Sequence, residues 1–318
     1  MADGISFLSR LIDWAFILFF LLIILLSVYV LKDTEAVYRS AGAEQFANLK
    51  PRPANDGGQV KYSFDDVLKI NSDVQAWLKV YGTAIDYPVL HAEDNSKYLT
   101  TDLWGKFSSA GSLFIDAANA GDFSDFNTII HGHHMYAHAM FGDISKFEGK
   151  AFFNSHTYGE LITKEGKKGI HFFAYLKVDS DNSSIYRGPI TDQQQRQAFL
   201  DEVKQQAFHY RDIGLTPTDH IVVLNSCRDA TYKARQVLLG VITDEIYPNN
   251  FSDPEAGGLH SGGRNAIFDR IDPSIKPYLG IILSSLLLLI LAMLRLLFKR
   301  RDQRADGRGA EVDDRPVK

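Results

Sequence analysis

Apolar positions along this chain follow three rules in turn. From Trp14 to Leu31 (WAFILFFLLIILLSVYVL) they are continuous and no charge interrupts them. That run is about the length that crosses ~30 Å of hydrocarbon as a helix. From Tyr278 to Leu294 (YLGIILSSLLLLILAML) they are continuous again, and Arg295 then precedes a basic cluster, KRRDQR at 299–304. Between the two, short apolar runs alternate or break at Gly, Asn and Asp, the signature of strands. These runs are VQAWLKV (74–80), AIDYPVLH (84–91), SLFIDA (112–117), NTIIH (127–131), IHFFAYLKV (170–178), HIVVLN (220–225) and ARQVLLGVI (234–242). A helical period replaces alternation in MFGDISKF (140–147) and over 191–212. In the longer of these, Phe199, Val203 and Ala207 form one apolar stripe, and Thr191 with Gln194 forms a capping-box pattern. Ser63 is placed to cap a short helix, SFDDVLKIN, with Asp66 in its first turn.

The continuous runs read as two membrane spans. Trp14 and Tyr29 sit near the ends of the first, where amphipathic rings prefer the interface. A cleaved signal peptide with SAGA (40–43) as its cleavage site is the competing reading, but the run exceeds the 7–15 residues of a signal h-region. Arg295 can reach the interface from near a helix end. The basic cluster predicts a cytoplasmic C-terminus, and two spans then make the N-terminus cytoplasmic and put everything between outside the cell. The expected organisation is a short N-terminus (1–13), a span (14–31) and an extracellular tether (32–60) containing KPRPANDGG. A globular domain (61–247), a linker (248–277) containing SDPEAGGLHSGG, a second span (278–298) and a basic tail (299–318) follow.

Composition adds a few exclusions. With 45% hydrophobic and 23% charged residues the chain is globular between its anchors. A net charge of −5, without a recurring basic patch, gives no reason to expect nucleic acid. One cysteine excludes a disulfide framework and leaves a question about that residue.

Cys227 ends the run HIVVLNSC. Alternation groups Val222, Leu224 and Ser226 on one face and Val223, Asn225 and Cys227 on the other. A buried cysteine acting as a small hydrophobe is the common alternative. The charged neighbours Arg228 and Asp229 instead suit a partly exposed thiol whose pKa a cation lowers. Four histidines (131, 133, 134 and 138) fall within eight positions. No acidic residue is interleaved before Asp143 and the spacing matches no zinc signature, so neither a metal nor a cofactor is expected. Gly132 is expected to end the strand NTIIH, setting His133 just past a strand end. Its neighbours are expected to be ordinary surface or packing histidines. Arg235 begins the next strand. If 228–234 connect neighbouring strands, Arg235 faces Cys227 and is placed to stabilise an oxyanion.

At these residues the sequence resembles the sortases, the cysteine transpeptidases of Gram-positive bacteria, and among them class B. VLNSC (223–227) matches the family's Thr-Leu-x-Thr-Cys signature through Leu224 and Cys227. Ser226 keeps the hydroxyl, while Val223 replaces the first Thr. HGHHM (131–135) matches Tyr-Gly-His-Asn-Met and carries the catalytic histidine onto His133. The family's catalytic arginine maps to Arg235. Upstream, INSDVQAWLKVYGTAIDYPVL (70–90), DNSKYL (94–99) and GSLFID (111–116) follow the class B pattern.

The resemblance implies a mainly β domain with helices, a sortase-type closed β-barrel carrying a long helix. It implies a Cys227 nucleophile, a His133 acid–base group and an Arg235 oxyanion partner. Ser226, Asp229 and Leu224 are candidates for substrate binding or orientation. The substrates it implies are secreted proteins bearing a C-terminal sorting signal, joined to an amine of a lipid-linked peptidoglycan precursor or of a pilin lysine. A membrane-anchored cysteine hydrolase and a non-enzymatic metal-sensing module built on the histidines are the alternatives.

Overall fold

Alternation becomes a closed sheet. Strand β1 (Val74–Val80) pairs antiparallel with β2 (Asp86–His91), and β2 runs parallel to β3 (Leu113–Ile115). β3 pairs antiparallel with β4 (Asn127–His133), and β4 runs parallel to β8 (His220–Cys227). β8 then pairs antiparallel with β9 (Ala234–Thr243), β9 with β6 (Gly166–Asp179), and β6 with β5 (Tyr158–Thr163). β5 returns to β1, so eight strands form a closed barrel, and the two-residue β7 (His209–Tyr210) is appended to β6. Closure leaves those eight strands without open edges. The computed structural model describes residues 2–51, 62–135, 138–179, 184–186, 188–227, 234–251 and 276–309. It divides into two units, Val37–Arg270 and a second made of Met1–Ala36 with Ile271–Lys318.

Alternation sorts side chains between two cores. In β8, Val222 and Leu224 join the interior cluster with Trp77, Phe141 and Phe172. Ile221 and Val223 join a second cluster with Phe199, Leu200 and Val203, three residues of helix α4 (Gln193–Gln206), described with the others below. Burying each of these three contributes roughly 1.5–3 kcal/mol, which fixes the helix against the outside of the barrel. The short helix α2 (Phe64–Ile70) starts as expected: the Ser63 Oγ accepts from the Asp66 N–H and the Asp66 carboxylate accepts from the Ser63 N–H. The remaining helices are α1 (Ala2–Ala41), α3 (Lys150–Ser155) and α5 (Lys276–Gly309).

Several expectations shift. The helix expected over 191–212 stops at Gln206, because His209 and Tyr210 pair with β6. Its cap is Asp192, whose carboxylate accepts from the Gln195 N–H at 2.9 Å, one residue later than the Thr191 pattern. Residues 142–148 form a 3-10 helix. β5 went unpredicted.

The tether expected over 32–60 is shorter on its described side. α1 continues through Ala41 and a 3-10 helix, Ala43–Leu49, follows. Phe46 packs into the interior cluster against Tyr87, whose hydroxyl donates to the Ala41 carbonyl at 3.0 Å. Lys50 then pairs with Asp86 at 3.0 Å and with Glu160 at 2.9 Å. Residues 52–61 and 252–275 lie outside the described residues.

α1 and α5 are long and apolar enough to cross a membrane, with mean hydropathy of 2.9 and 2.2 over their apolar windows.

Candidate active site

The site is set by the one parallel neighbour pair that joins β4 to β8. Its register runs without a slip from Asn127 opposite Ile221 to His133 opposite Cys227. β4 therefore does not stop at Gly132. A Cβ there would stand 2.4 Å from Leu113 Cδ2 and 2.6 Å from Phe141 Cδ2. The glycine lets the strand pass between those side chains rather than breaking it. On the other side of β8, the register with β9 sets Ser226 opposite Gln236. Arg235 precedes Gln236 on β9, directly beyond this last paired position. His133 and Cys227 are thus paired in register on adjacent strands, and Arg235 lies near the start of the next strand over. Strands lie about 4.8 Å apart, so each partner is one strand away from the cysteine backbone.

The flanking side chains have defined partners. The His133 Nε2–H donates to the Leu99 carbonyl at 3.0 Å. A carbonyl only accepts, so this bond selects the tautomer and leaves Nδ1 as the basic nitrogen of the neutral ring. The Arg235 guanidinium lies over the Tyr186 ring at 5.0 Å, a cation–π contact. Ser226 is fully buried and its Oγ lies 3.4 Å from His134 Nδ1. Leu224 is fully buried in the interior cluster, where it supports β8 from below. Asp229 lies outside the described residues.

Two positions down the ladder, His131 is more than a packing residue. It stands opposite Asn225 in register. Its Nε2 is 2.9 Å from Asp116 Oδ2, and its Nδ1 is 3.1 Å from the Asn225 amide nitrogen. The His131 ring N–H holds the Asp116 carboxyl below the usual carboxylate range, against the burial that pushes it up. Asp116 also receives the Asn95 amide and the Ala118 N–H. The signal available in the sequence was Asn225 itself, a polar residue inside an apolar strand that must find a partner when buried. The remaining histidine of the cluster, His138, pairs with Asp143 at 2.5 Å. The four histidines therefore take separate partners.

Comparison with known proteins identifies the family. No family model matches the chain. Sortase B of Listeria monocytogenes is 30% identical over 213 residues, covering 66% of this chain and 82% of the relative. The Staphylococcus aureus sortase B–substrate complex superposes with a TM-score of 0.54 at 32% identity, covering 57% of this chain and 84% of that one. A Streptococcus pyogenes class B sortase involved in pilus biogenesis superposes with a TM-score of 0.52 at 39% identity, covering 56% and 97%. Fold and sequence together define a sortase transpeptidase, and the chain belongs to the sortase family. Within that family it is most like class B.

Proposed function

We propose that this sortase is anchored in the membrane and joins secreted proteins to an amine through a thioacyl-enzyme on Cys227. The single observation that supports the reading is the register that pairs His133 of β4 with Cys227 of β8, with Arg235 near the start of the neighbouring β9. In the first step the Cys227 thiolate attacks the carbonyl carbon of the scissile peptide in a C-terminal sorting signal. A C–S bond forms, the C–N bond breaks, and protonated His133 gives its proton to the departing amine. In the second step an incoming amine attacks the thioester, loses its proton to His133 and releases the thiolate. Arg235 stabilises the oxyanion in both tetrahedral species; a preorganised donor of that kind contributes about 2.7–4 kcal/mol. Leu224, Ser226 and Asp229 are the candidates for binding or orienting the substrate.

The proposed layout keeps the spans at 14–31 and 278–298, with the catalytic domain (61–247) outside and both termini inside, on the strength of the two apolar helices and the basic cluster after the second. Anchoring at both ends holds the site near lipid-linked acceptors and newly secreted substrates, which raises their effective concentration. The acceptor is the amine of a cell-wall precursor or of a pilin lysine. The 39% identity to a sortase involved in pilus biogenesis supports the second.

The test is mass spectrometry of the full-length protein with a panel of sorting-signal peptides, with and without an amine nucleophile. The expected result is an acyl adduct on Cys227 that disappears as an amide product forms. Hydrolysed peptide alone, whichever amine is supplied, would sink the transpeptidase reading of the acceptor step.

A further inference from the structure

Residues 101–107 form a tight turn that holds apolar side chains out in water. Thr101 and Phe107 make an isolated antiparallel bridge at its base. Inside it, one Asp102 carboxylate oxygen accepts from the N–H groups of Trp104 and Lys106 at 2.9 and 2.8 Å. The Asp102 N–H donates to the Lys106 carbonyl at 2.9 Å, and Gly105 adopts φ +75°, where a side chain would be strained. Leu103 turns inward and is fully buried. Trp104 and Phe107 are left 42% and 83% exposed, with exposed Lys106 between them. Phe107 is the most exposed large apolar side chain among the described residues. Such a tip, fixed by these three hydrogen bonds, presents its rings by construction.

Its position on the chain says what it meets. The Trp104 ring stacks on Phe46, with centroids 5.4 Å apart and planes 14° from parallel. Phe46 lies in the 3-10 helix that follows α1, fifteen residues after Leu31 ends the N-terminal apolar run. Trp and Phe flanking a Lys match the headgroup zone, where amphipathic rings settle and anionic lipid attracts the cation. We infer that the turn of Trp104, Lys106 and Phe107 is a membrane contact resting in the headgroup region of an anionic phospholipid bilayer. The inference rests on the proposed anchoring. Its consequence for the reaction is positional. Thr101, at the base of the turn, is two residues from Leu99, whose carbonyl holds His133. Contact at the tip therefore sets the height of the acid–base group above the bilayer.

Full-length protein carrying Cys227→Ala and one new cysteine, at Phe107, Leu25 or Thr218, tests this in nanodiscs of mixed phosphatidylcholine and phosphatidylglycerol. Each cysteine carries an environment-sensitive fluorophore, and spin-labelled lipid is the quencher. Leu25 reports the first span, and exposed Thr218 lies near the opposite end of β8 from Cys227. The expected result is quenching at 107 several-fold above that at 218, reduced by Lys106→Glu and by pure phosphatidylcholine. Quenching at 25 with none at 107 overturns the contact and leaves the anchor standing. Quenching at neither position overturns the anchor as well. A 107 label shielded from aqueous quencher but untouched by lipid quencher marks a protein occupant, a second copy or a substrate, and also overturns the contact.

Discussion

His131 and His133 sit two residues apart on one strand, each opposite a residue of β8, yet their surroundings differ. His131 is held at both ring nitrogens, by Asp116 and by Asn225, and its side chain is 13% exposed. Among the described residues His133 has one hydrogen bond, to the Leu99 carbonyl through Nε2. The lower rung pairs the buried Asn225 amide nitrogen and the Asp116 carboxylate through one ring, leaving the Asn225 Oδ1 without a partner among the described residues. The upper rung stands at the end of the strand, where a ring can exchange a proton and turn. Under the proposed mechanism the same residue type serves as a strut at one level and as a reagent at the next, and the partners, not the residue, decide which.

This contrast is breakable by substitution. Cys227→Ala is expected to lower product formation by about 10³-fold or more, with the thermal midpoint unchanged. His133→Ala is expected to lower kcat/KM by about 10²–10⁴-fold, again without a change in melting, as followed by circular dichroism. Arg235→Ala should cost roughly 10²–10³-fold in kcat. Arg235→Lys should restore only part of it, because an ammonium lacks the planar fork.

His131→Ala is the sharpest comparison. It strands Asp116 and Asn225 and is expected to cost about 1–3 kcal/mol of stability, measured by urea unfolding. If His131→Ala silenced turnover as fully as His133→Ala while leaving unfolding untouched, the division between strut and reagent would be wrong.

The smallest effect is expected away from the ladder. Burial pushes the Glu160 carboxyl up, but Lys50 and Lys167 pull it down to about 2 from its ordinary 4.5. A carboxyl depressed in the folded state stabilises the fold above its unfolded pKa, and that contribution is lost as pH falls from about 4.5 through about 2. Lys50→Ala should therefore cost about 1–2 kcal/mol at neutral pH, with Lys167 still in place. The gap to the unsubstituted protein should close as the pH of the unfolding experiment falls below 4.5.

Where local pattern and final packing agree, the sequence was readable. β1 keeps the bounds of VQAWLKV, and Ser63 caps α2, because period-2 alternation and capping are local properties. β5 was invisible for tertiary reasons. Gly159 is a poor strand former, but a Cβ there would come within 2.6 Å of the Lys79 carbonyl. Glu160 is buried because Lys50 and Lys167 arrive from elsewhere. Gly132 was misread for a similar reason: what makes it necessary, Leu113 and Phe141, is distant in sequence. The proposed nucleophile, base and arginine rest on the motifs that resemble the sortases, and of these the fold pairs His133 with Cys227 in register. The role of His131 was not, since Asp116 and Asn225 meet it only in the folded barrel.

The order of strands along the chain also sets a timetable. The β4–β8 ladder joins partners such as His131 and Asn225 across 94 positions, and β8 and β9 are the last strands to be synthesised. Loops of that length close slowly. Until β8 enters between β4 and β9, the sheet has open edges and His133 has no cysteine beside it. A growing or truncated chain is accordingly an incomplete sheet that invites aggregation, and the event that seals the barrel is also the one that sets Cys227 opposite His133.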